Sequence, residues 1–471
     1  MRLQAQELRR KHPRFLYQSF GLEQTGKDLK ITFRFKLEPD IVFTPDIVIE
    51  STDCSRIDSL DTPTLERLAF HLGLIEMLSY WKTACPAEVV IEAGALDHWQ
   101  IQWWKDLWLR GMGEFFYVNQ IDSRSPEYLK IFAPAPHARS NLQSRGGQLP
   151  VRRSLVMVSG GKDSAFTLHE LCAAGEDFNC LLLNPPPSAV EVAAIAGCKA
   201  PITVRRTLDA RMLDLNRQGY LNGHTPFSAL LAIVGLTCAT LFDYDRVVVS
   251  NERSSDEGNV DFLGAEINHQ YSKTFAFETA IREYAHGYLA PGISYFSIVR
   301  PLFEIQVCRL FARCTEYFHA FKSCNREQKQ GTWCGRCAKC VSVFMTMAPF
   351  ISRDDMVAIF GKDVFEDADA IALVRSLLGI EGTKPFECVG TRQELLAGLF
   401  LSIRRRKAGS AALPPLLARA EREILPAIGI PPDELNRLSA TILSAWSERH
   451  YLPPEFAQRL KSQLAVADDA D

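Results

Sequence analysis

The chain lacks any apolar run approaching the ~18 consecutive residues that a membrane-spanning helix needs. Its first residues, MRLQAQELRRKHPRF, lack the apolar centre of a secretory signal. It also lacks a surplus of one charge, with 53 Lys and Arg against 56 Asp and Glu, and it has no concentrated basic arm. Nucleic-acid binding rests largely on neutralising phosphates, so this balance gives no electrostatic reason to expect such a partner. These absences lead to the expectation of a cytoplasmic protein with no membrane insertion and no nucleic acid. A disulfide framework is missing too. The 13 cysteines are odd in number and scattered except for one cluster, which favours free thiols plus a metal site. At 471 residues, 47% hydrophobic and 23% charged, the chain is an ordinary globular one too long for a single core, and two or three domains are expected.

The most informative stretch is 154–174, SLVMVSGGKDSAFTLHELCAA. Ser154 to Val158 is short, β-branched and ends at glycine, as a buried strand does. A helix is expected from about Ser164, with Leu168, Leu171 and Cys172 on its apolar stripe. Between them, Ser159, Gly160, Gly161, Lys162, Asp163 and Ser164 combine converging backbone N–H groups, hydroxyls, a cation and a helix N-terminus, the requirements of a phosphate cradle. A Walker A loop is excluded, because Val156 and Asp163 occupy the places of its first glycine and closing hydroxyl. Asp163 instead suggests a Mg²⁺ ligand, since a hard cation prefers carboxylate oxygen. The six residues resemble the SGGxDS loop of the ATP pyrophosphatase (PP-loop) superfamily. The resemblance implies cleavage of ATP between its α- and β-phosphates with adenylation of a substrate oxygen.

Before this loop, strand-like segments Leu29 to Lys36 and Ile41 to Glu50 precede a helix from about Pro63 to Trp81. A short strand, Val89-Val90-Ile91, leads to a helix carrying Trp99, Trp103, Trp104 and Trp108, an aromatic run that serves either a ligand groove or a core or interface. The proline-, glycine- and serine-rich stretch Pro134 to Pro150 marks a domain boundary. After it strands and helices alternate, which implies a mostly parallel sheet covered on both faces, with ligands outside the carboxyl ends of the strands. The expected units are an α+β domain over 1–150 for substrate recognition, an ATP-binding α/β core over 151–321, a zinc-knuckle and helical extension over 322–395 and a helical region over 396–471.

Position beyond a strand singles out Ser250 to Glu278, SNERSSDEGNVDFLGAEINHQYSKTFAFE. Asn251 and Glu252 fall at the strand's carboxyl end, facing the nucleotide or its metal, and His269 and Lys273 bring a base and a cation just before an apolar helix. Cys334, Cys337 and Cys340 are spaced C-x2-C-x2-C, and Cys324 can complete a tetrahedral Zn²⁺ site; four thiolates leave no open position, so the zinc is structural. Further on, Lys384 to Thr391 is a loop with a lone cysteine, Cys388, beside a glutamate.

In this order SGGKDS, SNERSSDEGN, NHQYSK, SCNR with WCGRCAKC, and KPFECVG resemble the UDP-N-acetylmuramoyl-L-alanyl-L-glutamate epimerase family of peptidoglycan synthesis, over roughly residues 150–395. The resemblance implies inversion of the terminal L-glutamate of a UDP-muramoyl dipeptide, driven by ATP and Mg²⁺ through an acyl-adenylate. Adenylation removes the carboxylate charge that would oppose a carbanion at Cα, and each ~1.4 kcal/mol taken off the barrier is tenfold in rate. Ser159 to Ser164 would hold the triphosphate, with Asp163 toward Mg²⁺. His269, Lys273, Glu252 and Cys388 are the acid/base candidates; Cys388 can equally be a packed residue. Rival readings are an amide- or nitrile-forming ligase of the 7-cyano-7-deazaguanine synthase type, an RNA-modifying PP-loop enzyme, and a nucleotide-binding module without chemistry. The extra first domain, the charge balance and the complete loop weigh against them in turn.

Overall fold

Alternation decides the first strands. In Asp28–Leu37 the residues Leu29, Ile31, Phe33, Phe35 and Leu37 are buried while their neighbours are not, the period of two that puts one face of a strand on a core. The computed structural model describes residues 4–50, 57, 60–136, 152–409 and 412–468. Most of the expected boundary stretch, residues 137–151, lies outside the described residues.

The main sheet draws on both sides of that stretch. Its first strands are β1 (Arg14–Thr25), β2 (Asp28–Leu37), β3 (Ile41–Phe43), β4 (Asp46–Glu50), β5 (Glu88–Ile91) and β6 (Lys130–Phe132). The later ones are β7 (Arg153–Met157), β8 (Asp177–Leu183), β9 (Ile202–Thr207), β10 (Arg246–Val249) and, beyond a separate hairpin of β11 (Val260–Phe262) and β12 (Ala265–Ile267), β13 (Ser294–Ser297). The order across the sheet is β13-β10-β7-β8-β9-β4-β2-β1-β5-β6, with β3 on β2. β13 to β9 are parallel throughout. The antiparallel pairing of β9 with β4 then joins this block to the first strands without a break. The fold is α/β with a large, mostly parallel sheet.

Strands β7 and β10 are apolar on both faces for a reason the topology supplies. Leu155, Met157, Val247 and Val249 enter one core, and Val156, Val158 and Val248 enter another on the opposite face. The first core also contains Phe33, Ile47, Trp104 and Trp108, so the first strands and helices pack on the same face as the later parallel strands. The tryptophan run proves to be an interface: Trp103 Nε1 donates to Ala280 O at 3.0 Å and Trp104 Nε1 to the Tyr284 hydroxyl at 2.8 Å, both acceptors on helix Phe275–Tyr284. The helix expected over Pro63 to Trp81 starts at Thr62, capped by Asp61, whose carboxylate accepts from Thr64 N at 2.8 Å, and pauses after Glu76 before the short turn Leu78–Trp81.

The chain leaves β7 toward β8 and β9 on one side, then returns to β10 on the other. The carboxyl ends of β7 and β10 therefore flank a topological switch, the crevice where open parallel sheets bind ligands. No helix among the described residues is long and apolar enough to cross a membrane.

Behind the crevice, helix Arg392–Ala408 crosses helix Ala338–Met347 at Gly398, where a Cβ would lie 2.7 Å from the Met345 carbonyl oxygen. Alanine would gain ~1 kcal/mol of helix propensity but overpack against backbone that cannot rotate away, a loss of ~1–3 kcal/mol. Gly398→Ala is expected to lower stability by up to about 2 kcal/mol in urea denaturation. A raised midpoint would contradict this packing.

Candidate active site

The loop after β7 is built for close approach. Gly160 has φ +80°, and a Cβ there would lie 2.5 Å from Ala189 N; one on Gly161 would lie 2.9 Å from the Ser323 hydroxyl. Only glycine fits the first of these positions. The helix begins at Lys162, earlier than the expected Ser164, because Gly161 serves as its N-cap without a capping side chain. The Ser164 hydroxyl donates back to Gly161 O at 2.9 Å, and Lys322 N donates to Gly160 O at 2.8 Å. Gln328 Nε2 donates to Ser159 O at 3.1 Å, so the cysteine-rich segment braces the loop. On the helix itself Leu168 and Leu171 are buried, but Cys172 is exposed, a correction to the expected stripe: it lies one residue, or ~100° of helix, beyond Leu171.

Lys162 is fully buried, its ammonium 2.5 Å from Asp163 Oδ1 and 3.1 Å from Glu304 Oε1. A second lysine, Lys339, reaches the same Glu304 oxygen at 3.1 Å. Burial alone would raise the Glu304 carboxyl; Lys162 and Lys339 outweigh it and hold the group at about 2. The other oxygen of Glu304 is buried and unbonded among the described residues. The glycine loop is thus backed by two ammonium groups on one buried carboxylate.

The second cluster forms around Cys388. Lys273 Nζ donates to its sulfur at 3.2 Å, and His269 is a second charged neighbour that acts on the thiol. His269 Nδ1 is in turn bound by Glu114, on helix Gly113–Val118 of the first third of the chain. Burial would push the Cys388 thiol up, but Lys273 and then His269 bring it down to about 6. Burial would likewise lower His269, and its bonds to Cys388 and Glu114 carry it up to about 9. Lys273 is raised: burial opposes its charge, and Cys388 and Glu252 favour it more strongly. His224 lies 3.6 Å from Glu114 and is held down to about 3 by burial and then by the charge on His269, which leaves it a neutral imidazole at pH 7.

One guanidinium aligns the two clusters. Arg300 is buried and paired with Glu278 at 2.8 Å; it also donates to Glu252 O at 2.9 Å and to Lys273 O. The Glu252 carboxyl is raised by burial and by Asp163, against the pull of Lys273, so it interacts with both the glycine loop and the lysine beside the thiol. Asn251 is strapped to β13, its N–H donating to the Ser297 hydroxyl and its carbonyl accepting from it, both at 2.8 Å.

Cys324, Cys334, Cys337 and Cys340 bring their sulfurs within 4.8 Å of one another. Cys337 also caps helix Ala338–Met347, and the Cys340 thiol beside it lowers its proton affinity. Four convergent sulfurs match the soft donor set of a closed zinc site. Lys339 stands inside this turn, its N–H donating to Glu387 Oε2 at 2.7 Å while its ammonium reaches Glu304.

The structure thus brings together the glycine loop with Glu252 and, beyond it, His269, Lys273 and Cys388. Sequence reading missed Glu114, Glu304, Arg300 and Lys339. Only Lys339 carried a signal, as a lysine inside the cysteine-rich turn; the others arrive from distant elements of ordinary composition.

The MurL N-terminal domain family matches residues 6–298, and the MurL C-terminal domain family matches residues 320–424. A Xanthomonas oryzae pv. oryzae protein named UDP-N-acetyl-alpha-D-muramoyl-L-alanyl-L-glutamate epimerase is 32% identical over 401 residues, 84% of this chain and 86% of its own length. A protein of that name from Micromonospora sp. is 33% identical over the same shares of each chain. A third, from Salinispora tropica, is 34% identical over 342 residues, 72% of this chain and 73% of its own. No solved structure matches the chain.

The thiol environment has a direct spectroscopic consequence. In the folded protein the Cys388 thiolate forms as pH rises through about 6 and the His269 imidazolium is lost as pH rises through about 9, so the two opposite charges coexist between these values. The thiolate absorbance of wild type minus Cys388→Ser is expected to titrate near 6 and to move upward in Lys273→Met. A midpoint near 9 in the wild type would refute the ion pair.

Proposed function

The chain belongs to the MurL family, and from that premise we propose that it inverts the terminal L-glutamate of UDP-N-acetylmuramoyl-L-alanyl-L-glutamate to the D form, consuming ATP. The observation that supports this reading is the buried cluster of Cys388, Lys273 and His269, whose Lys273 shares the neighbour Glu252 with Asp163 of the glycine loop.

Ser159, Gly160, Gly161 and Ser164 cradle the ATP phosphates, and Lys162 and Lys339 offset the charge that develops on the departing pyrophosphate. The steric need for glycine at position 160 and the paired ammonium groups fit a polyphosphate. Asp163, partly exposed beside Lys162, suits a Mg²⁺ ion, which when bound would neutralise phosphate charge. The substrate α-carboxylate attacks the α-phosphorus, pyrophosphate leaves, and an acyl-adenylate forms. The Cys388 thiolate removes the Cα proton, and the electron pair delocalises into the acyl group as an enolate. His269 and Lys273 stabilise the thiolate before transfer, and Glu114 orients the imidazole. Glu252, raised by burial on the loop side of the thiol, delivers a proton to the opposite face. Water then hydrolyses the acyl-adenylate, releasing the epimer and AMP.

The test is incubation with ATP, Mg²⁺ and the L-glutamyl substrate in D₂O, followed by NMR and chiral analysis. Wild type is expected to yield AMP and D-glutamate deuterated at Cα, with a pH optimum between about 6 and about 9, where thiolate and imidazolium coexist. Cys388→Ser is expected to lose exchange by about 10²–10⁴-fold. Glu252→Gln is expected to exchange deuterium into the L isomer without inverting it. Consumption of ATP without exchange in wild type would end the epimerase reading.

The cysteine cluster is proposed to hold structural zinc, which would set the turn that presents Lys339. Purified protein is expected to contain about one zinc ion per chain by mass spectrometry, and Cys337→Ser to lose it and melt at lower temperature. Zinc-free wild type of unchanged stability would overturn the assignment.

A further inference from the structure

A cavity of about 470 Å³ lies between helices His98–Gly111 and Gly113–Val118 on one side and the β11–β12 hairpin on the other. Its size suits a nucleotide. Three arginines line it, Arg110, Arg124 and Arg449, against two lining carboxylates, Asp256 and Glu266; just outside the lining, Asp106 meets Arg110 at 3.5 Å and Asp122 meets Arg124 at 2.8 Å, both as exposed pairs. Both lining carboxylates are turned onto backbone amides, accepting from Phe275 N at 2.8 Å and Gly258 N at 2.7 Å. The Arg110 guanidinium carbon lies over the Tyr271 ring, 4.4 Å from its centre, and Phe262 stands on the hairpin side, so cationic and aromatic surfaces share one cavity. None of Ser159 to Ser164 lines it, so it is distinct from the glycine loop.

Its position links it to the thiol. Gly113, Asn268 and Thr274 line the cavity, and each adjoins in sequence a member of the Cys388 cluster: Glu114, His269 and Lys273. Arg124 Nη1 donates to Leu263 O at 2.8 Å and ties the hairpin tip over this wall. The proposed substrate carries a nucleoside diphosphate at one end and the reacting glutamate at the other, so it needs a second anion site within reach of Cys388 but separate from the ATP cradle.

We propose that this cavity holds the nucleoside diphosphate end of the substrate, with Arg110 and Arg449 taking the diphosphate and Phe262 beside the base. Uracil stacks on an aromatic face, and guanidinium forks match phosphate oxygens. The choice of ligand rests on the epimerase reading.

UDP itself is the probe, titrated calorimetrically into the full chain. Wild type is expected to bind UDP, and Arg110→Ala and Arg449→Ala each to bind it about tenfold or more weakly, with unchanged melting temperatures. Arg34→Ala, a surface charge on β2, is expected to match wild type. Mg-ATP is expected not to displace UDP. Wild-type affinity in both cavity variants, displacement by Mg-ATP, or no UDP binding at millimolar concentration would each overturn the proposal. Binding is read without turnover, so failure of the Cα exchange assay with UDP binding intact would remove the epimerase reading and leave the nucleotide site standing.

Discussion

The buried Arg300–Glu278 pair is the constraint on which the site depends. An arginine with about 1% of its surface exposed must be hydrogen-bonded along its whole fork, because an unpaired buried charge costs several kcal/mol. Glu278 answers one edge, and the remaining donors are answered by the main-chain oxygens of Glu252 and Lys273 and by the Ser255 hydroxyl. The requirement runs in both directions. The arginine cannot stay buried unless the two loops hold their carbonyls in place, and the loops are irregular backbone that would otherwise wander. A desolvation penalty thus becomes positional accuracy for a carboxyl and an ammonium on different segments.

A similar economy governs the two lysines on Glu304. Lys162 comes from the helix after β7 and Lys339 from the cysteine turn, and one carboxylate oxygen serves both. With both lysines on it the buried carboxylate is strongly charge-compensated; with either lysine missing, the remaining charges would be less well matched. The cysteine cluster therefore contributes more than rigidity, since its geometry determines whether a cation faces the glycine loop.

Much of this was legible in the sequence where a local pattern carried it. The loop 159–164, its strand and its helix follow from β-branching, glycine and apolar spacing, and the cysteine spacing announced four convergent sulfurs. His269, Lys273 and Cys388 were readable as chemistry-bearing residues but not as neighbours, because contacts 115 residues apart depend on tertiary packing. Glu114 was invisible: it sits on a six-residue helix whose sequence, GEFFYV, reads as core. The long strand Arg14–Thr25 was missed because its burial alternates only along part of its length. The continuity of the sheet was hidden because β9 and β4 pair across more than 150 intervening residues, a distance no local pattern spans.

That continuity limits how such a chain can evolve. A recognition domain tethered by a linker can be exchanged for another and so redirect an enzyme to a new substrate. Here the first third shares strands, a core and the carboxylate behind His269 with the rest. Shuffling it out would leave an open sheet edge and an imidazole with no orienting partner. Lineages of this fold are therefore confined to substitution and loop insertion, and their diversity should lie in the hairpin and the surface connections, not in swapped modules.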